Sequence, residues 1–278
     1  MPLSARRERS SGSTGTAPYA DRADRLAAAD EVLAHLAADP PTVSGVVRVE
    51  VAVTPGSTES WTVSFAPGQV RTSDAEPDTV LRLPLAPLVD LLSGRADGAL
   101  LHLSGVLEVE GDEALLLALG GQLRAPGAEH AVIDAAALDP VAVSAAIGQA
   151  STEHLASVMA GGFRGLVLGE VFRRLPEFLI AEKAERARVS IAFEIGGRPD
   201  GQTDRYVVRV ADGVCTVDGD APAGSTVDAT LDLEGHEFLR LVLGHLNPVR
   251  GVLSGQIRVR GQVVKALGFN AVMRIPGS

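Results

Sequence analysis

The sequence predicts an α+β fold built twice: two domains, each an antiparallel or mixed β-sheet with helices packed on one face. Three observations carry that expectation. Residues 228–276 repeat residues 78–126 at a constant spacing of 150 without a gap, and the identical pairs include Asp78/Asp228, Leu81/Leu231, Leu83/Leu233, Gly94/Gly244, Gly105/Gly255, Gly111/Gly261 and Pro126/Pro276. Within each repeat the hydrophobic period switches between two and about 3.6. The length, 278 residues, suits about two domains. A repeat this long is a duplicated domain, since solenoid periods run roughly 20–50 residues.

The elements follow in order. Residues 21–38 are rich in Ala and Leu at helical spacing, with Leu26, Val32, Leu33 and Leu36 on the apolar side, and Pro40 and Pro41 stop the helix. VSGVVRVEVAV and SWTVSFAPG alternate around a Pro-Gly-Ser-Thr turn, which reads as a hairpin with Trp61, Val63 and Phe65 on one face. In the second half Tyr206, Val208 and Val210 hold the matching places, and five extra residues are expected in the loop DGDAPAGST. Residues 126–139 lack alternation and read as linker, followed by two short helices, the second with Ser151 as its N-cap. Residues 187–195 alternate as a strand. The repeat then reads strand (ATLDL), helix (EFLRLVLG), strand (LSGQIRVRG, with Leu253, Ile257 and Val259 inward), helix (QVVKALGFNAVM). The expected organisation is a disordered leader over 1–20, a domain over 21–128, a linker over 129–137 and a second domain over 138–278.

FLRLVLGHLNPVRGVLSGQIRVRGQVVKALGF resembles the C-terminal half of the SCP2-type (sterol carrier protein 2-like) lipid-binding domain, and VFRRLPEFLIAEKAERARVSIAFEIGG resembles its opening helix and first strand. The resemblance covers residues 151–278 directly and 21–126 through the internal repeat, so the first copy is a diverged one. It implies a tunnel for a lipid or other elongated apolar ligand, and it carries no catalytic motif.

Charge and composition narrow the function. Net charge is −10, which disfavours bulk attraction to nucleic acid or anionic membranes. The lone Cys215 rules out an internal disulfide and fits a reducing compartment. No apolar run approaches the ~18 residues of a membrane span, and the leader lacks the apolar stretch of a signal peptide. A cytoplasmic protein without integral membrane association is expected; its oligomeric state is open.

Chemistry-bearing residues are sparse. His236 and His245, read onto one helix, fall nine residues apart and hence on opposite sides, unable to share a metal. Asp228, Asp232 and Glu234 share a strand face with Thr230, either as an acid–base group or as solvated side chains. Ser104 and Ser254 recur in LSG without an adjacent base, where turn chemistry competes with a nucleophile reading. Cys215 in VCTV reads as a small buried residue against a reactive thiol. No catalytic residue, metal site or cofactor is expected.

What remains is apolar surface. The helix around FLRLVLG is apolar nearly all round, more than one sheet contact needs. With the opening helix it could wall a cavity, or simply pack solid. The resemblance favours a tunnel in the second domain, lined by Phe172, Leu175, Phe178, Phe238, Leu241, Val242, Ile257, Phe269 and Met273. The first reading is thus a lipid carrier, the alternatives a biosynthetic cyclase or isomerase and a structural association module. Seven of the ten aromatic residues lie in the second half, and Pro84 and Pro87 are expected to shorten the matching helix of the first. Binding is therefore assigned to the second domain, with residues 138–278 expected to retain most of it. Glu108 and Glu110, standing where Arg258 and Arg260 stand, are expected to draw the two sheet faces together.

Overall fold

The computed structural model describes residues 22–126, 128–219, 221–222 and 224–274. The leader expected over 1–20 lies outside them. The first repeat runs α1 (Arg22–Ala38), β1 (Gly45–Thr54), β2 (Ser57–Ala66), β3 (Gln69–Thr72), β4 (Thr79–Pro84), α2 (Leu85–Leu92), α3 (Gly98–Leu103), β5 (Glu108–Gly111) and α4 (Glu113–Gly120). Then come α5 (Pro140–Gln149), α6 (Thr152–Ala160), α7 (Phe163–Arg174) and the short α8 (Ala181–Ala184). The second repeat continues with β6 (Arg188–Gly196), β7 (Asp204–Ala211), β8 (Val214–Asp218), β9 (Ala229–Glu234), α9 (Gly235–Val242), α10 (Pro248–Ser254), β10 (Ile257–Gly261) and α11 (Val263–Val272).

The two sheets have one topology. The first is ordered β3-β2-β1-β4-β5 and the second β8-β7-β6-β9-β10. β1/β4 and β6/β9 are parallel pairs and the rest antiparallel, so each sheet is mixed rather than a pure meander. A parallel pair needs a crossover, and the strands between close the hairpins on the far side of β1 and β6. The five extra residues of the second repeat fall where expected, between Gly213 and β9.

Three elements differ from the sequence reading. The period-two reading of LSGQIRVRG starts too early: Leu253 belongs to α10, is 82% exposed, and Asn247 caps that helix by accepting from Arg250 N–H. His245 lies past the end of α9 rather than on it. In α1, Leu26 is 46% exposed while Leu33 and Leu36 pack inward beside Arg25, whose guanidinium is held by Glu59.

The prolines do not shorten α2, which spans eight residues like α9. Pro84 sits at its N-cap and Pro87 in its first turn, where no intrahelical N–H bond is required.

The stretch read as linker is stitched down. Val132 N–H donates to Leu123 O (2.8 Å), Gly98 N–H to Val132 O (2.8 Å), and Ile133 is buried. One hydrophobic core runs from α3 and α4 through Ile133 and Leu138 into α5–α7 and the second sheet. A smaller core of Val47, Val63, Phe65, Leu115 and Leu119 sits under α1.

The outer sheet faces carry opposite charge ladders, each closed within its own sheet. Arg82 bridges Glu50 (2.9 Å) and Glu110 (2.6 Å); Glu194 bridges Arg205 (2.7 Å) and Arg260. Glu110 and Arg260 therefore meet partners within their own sheets, while Glu108 and Arg258 are exposed.

Candidate ligand-binding cavity

The cavity lies between the second sheet and the helices that cover it, with a volume of about 160 Å³. Its floor is the inward face of β6, β9 and β10, where Phe193, Leu231, Ile257 and Val259 point one way because alternate residues share a face. α7 brings Phe172, and the 3-10 turn at Leu175–Phe178 adds its two end residues. α9 contributes Phe238, Leu241 and Val242, and α11 Phe269. Met273 follows α11 and bridges to Leu179, while Ile180 N–H donates to Val272 O (2.9 Å) and Arg274 N–H to Phe178 O (2.7 Å), closing that end.

All nine residues singled out in the sequence thus border one space. Phe172, Leu175, Phe238, Ile257 and Phe269 are buried, and Phe178, Leu241, Val242 and Met273 half-buried. Phe172 is sandwiched: its ring stacks on Tyr206 (centroids 3.9 Å, planes at 13°) and on Phe238 (5.0 Å, 20°), and Phe193 meets Phe238 edge-on at 5.6 Å. Such pairs add about 0.5–1.5 kcal/mol each beyond their burial. The aromatic wall is therefore rigid, while the half-buried Leu241, Val242 and Met273 can move.

The wall has a part that sequence reasoning missed. Ala99 and Leu103 of α3, Ala135, Leu138, Pro140 and Val143 complete it. A piece beginning at residue 138 would lack Ala99, Leu103 and Ala135 of this lining. Leu103 was legible only as the counterpart of Leu253; its packing across the halves leaves no local signal. The polar members of the lining are Glu170, Arg174, Asn270 and Arg274. Arg174 donates to Leu138 O (2.5 Å) and pairs with Glu177, which ties α7 to the wall.

The remaining candidates are placed as follows. Asp228 accepts from Ser190 N–H (2.7 Å) and Oγ–H (3.0 Å), joining β9 to β6, and Glu234 is exposed. The hydroxyls of Ser104 and Ser254 donate to Leu101 O (3.0 Å) and Gly251 O (3.2 Å), which is helix-end chemistry. Burial pushes the Cys215 thiol up to about 11, away from the thiolate. His236 Nε2 lies 3.4 Å from Glu237.

A serine–histidine pair not foreseen is Ser144 with His245, Oγ to Nε2 3.2 Å. The same Nε2 is 2.8 Å from Ser144 O, which can only accept, so this nitrogen carries the proton and is no base toward the hydroxyl. The pair ties α5 to the end of α9. Among the described residues no cluster of three His, Cys, Asp or Glu could hold a metal ion, and no single helix is long and apolar enough to cross a membrane.

Fold and cavity define a class: a duplicated α+β protein whose second sheet and covering helices enclose an apolar pocket. The chain belongs to the SCP-2 sterol transfer family, whose profile matches residues 25–124 and 172–274. Lipid binding and transfer is the general business of that family. No curated protein matches the chain. Among solved structures it is similar to the apo sterol carrier protein 2 of Yarrowia lipolytica (23% identity, 40% of this chain, 90% of that one, TM-score 0.33). It is also similar to the palmitated SCP2L2 of Aedes aegypti (23%, 32% and 86%, 0.28). The stereoselective inverting sec-alkylsulfatase Pisa1 from Pseudomonas sp. matches at 17% identity over 40% of this chain (TM-score 0.35), and the chain spans only 17% of that enzyme. Likenesses this partial carry no argument about ligand or reaction.

Proposed function

We propose that the protein binds and carries a lipid or other apolar small molecule in the cavity of its second repeat. The observation that supports this is the apolar space itself: nine side chains of α7, the 3-10 turn, α9, β10 and the α11 region converge on it, all of them hydrophobic. Its size sets the binding mode. At about 160 Å³ it matches an engineered apolar cavity of ~150 Å³ that stays dry and takes benzene, and falls below the ~300–1,000 Å³ of most ligand pockets. A single ring or a short acyl segment fits directly. A longer chain enters by displacing Phe178, Leu241 or Met273, of which methionine adapts most readily. Burying about ten CH₂ groups at ~0.8 kcal/mol each gives roughly 8 kcal/mol gross. Side-chain displacement and association reduce this to about micromolar affinity.

Native mass spectrometry of the purified full chain is expected to show a co-purified apolar adduct, and a fluorescent acyl probe should displace it. Leu241→Trp, which projects an indole into the space from a half-buried position, should weaken probe binding at least about tenfold while the melting temperature stays within a few degrees. A well-folded wild type with no adduct and no probe binding overturns the reading.

A further inference from the structure

Eight large apolar side chains stand exposed among the described residues, and five of them lie on two helices: Val249 (51%) and Leu253 (82%) on α10, and Val263 (45%), Val264 (82%) and Leu267 (41%) on α11. Val263 and Leu267 also line the cavity, as do Pro248 and Val252, so this face surrounds its mouth. A concentration of that kind on one face marks a contact surface.

The duplication supplies a control. One hundred and fifty residues earlier the same positions are Ala99, Leu103, Glu113, Ala114 and Leu117. There the α3 part of the face is covered: Ala99 and Leu103 are 3% and 4% exposed and His154 of α6 bonds His102 O (2.6 Å), while on α4 Glu113 accepts from Phe163 N–H at the start of α7 (3.1 Å), Leu117 is half-buried and Ala114 is exposed. The α5–α7 segment is engaged there, and in another copy of the chain it is engaged in the same way. Residues 1–21 have the wrong sign to substitute, carrying Arg6, Arg7 and Arg9 against Glu8 and Asp21.

Charge names the occupant. After Glu237 the sequence contains six bases and no acid, so of the net −10 the part after Glu237 carries +6 and the part up to it −16. On this face Arg250 replaces Leu100 and Lys265 replaces Leu115. Arg250 and Arg274 are exposed without an ion-pair partner among the described residues, while Lys265 donates to Arg188 O (2.6 Å). Of the nearby acids, Glu170 and Glu177 are held by Arg173 and Arg174, and Glu182 on α8 adjoins Lys183. Aliphatic side chains interleaved with arginines form the pattern of an interfacial surface.

We infer that the α10/α11 face docks on an anionic lipid surface, bringing the cavity mouth against the bilayer. The acidic bulk of the protein does not prevent this, because a Debye length of about 8 Å at physiological salt leaves only the nearest charges in play. The inference does not depend on what fills the cavity.

Flotation of the full chain with phosphatidylcholine vesicles, with and without phosphatidylglycerol, is the test. The wild type should float with the anionic vesicles only and be released by high salt. The double substitution Leu253→Asp/Val264→Asp, at two positions that do not line the cavity, should reduce flotation at least about tenfold while acyl-probe binding in solution is unchanged. Leu241→Trp should float like the wild type, which separates docking from cavity occupancy. No flotation, or equal flotation with neutral vesicles, overturns the inference. Self-association by light scattering that the double substitution abolishes, without flotation, assigns the face to a second copy and overturns it as well.

Discussion

The two repeats share a frame and differ in what they enclose. Both sheets have the same strand order, and paired glycines hold the same left-handed turns: Gly94 and Gly244 at φ 69° and 82°, Gly111 and Gly261 at 103° and 92°. At Gly111 and Gly261 a Cβ would overlap the carbonyl oxygen of Asp78 or Asp228, so neither position tolerates a side chain. The interiors diverge on that common backbone. Where the second repeat has Phe238 and Phe269, the first has Leu88 and Leu119. α9 buries Phe238 and Leu239, whereas α2, of equal length, buries no residue. The lesson is that turn geometry and register hold the fold, while the side chains over the sheet decide whether the space beneath the helices becomes a pocket.

The sharpest way to break that comparison is to truncate the matched pair. Phe238→Ala removes a fully buried ring that stacks on Phe172, and should destabilise the protein by about 3–5 kcal/mol in urea unfolding. Leu88→Ala, half-buried, should cost under about 2 kcal/mol. Equal costs would mean the two interiors do equivalent structural work.

A smaller effect probes the contact between the repeats. A Cβ at Gly161 would overlap the Glu113 carboxylate that accepts from Phe163 N–H, so Gly161→Ala should cost about 1–2 kcal/mol. Gly165 in α7 faces open space, and Gly165→Ala should stabilise by about 0.5–1 kcal/mol. Urea midpoints moving in opposite directions are the expected result.

The smallest effect is a pH dependence confined to this contact. His102 is buried, its Nδ1–H donates to Leu107 O (3.0 Å), and its Nε2 has no partner. Burial, with a lesser contribution from His154, holds its pKa below the usual imidazole value, against the opposing hydrogen bond to Leu107 O and the weaker pull of Glu113. The folded form therefore resists a proton that the unfolded chain accepts. This contribution is complete above about pH 6.5 and is lost as pH falls from there toward the folded value. Melting temperature should drop between about pH 7 and pH 5, and less so in His102→Asn.

Much of the fold was readable because periodicity and the 150-residue repeat are local or self-referential signals. Phe238, Ile257 and Phe269 fall on inward positions of elements that the pattern defined, and the family resemblance pointed to the opening helix beside them. What stayed hidden depends on contacts distant in sequence. The parallel pairing of β6 with β9 leaves no mark in either strand, and α10 hides behind an apolar spacing that Leu253 shares with a strand. Ala99 and Leu103 face the cavity only because α5–α7 folds back over the first repeat, which no single segment announces.

That fold-back has a consequence for how the chain is made. On the ribosome the α3/α4 surface emerges before the segment that shields it: His102 precedes His154 by 52 positions and Glu113 precedes Phe163 by 50. At about 5–20 residues per second, the nascent first half waits roughly 3–10 s with Leu103 and its neighbours uncovered. A translational pause placed within residues 103–163 would lengthen that exposure.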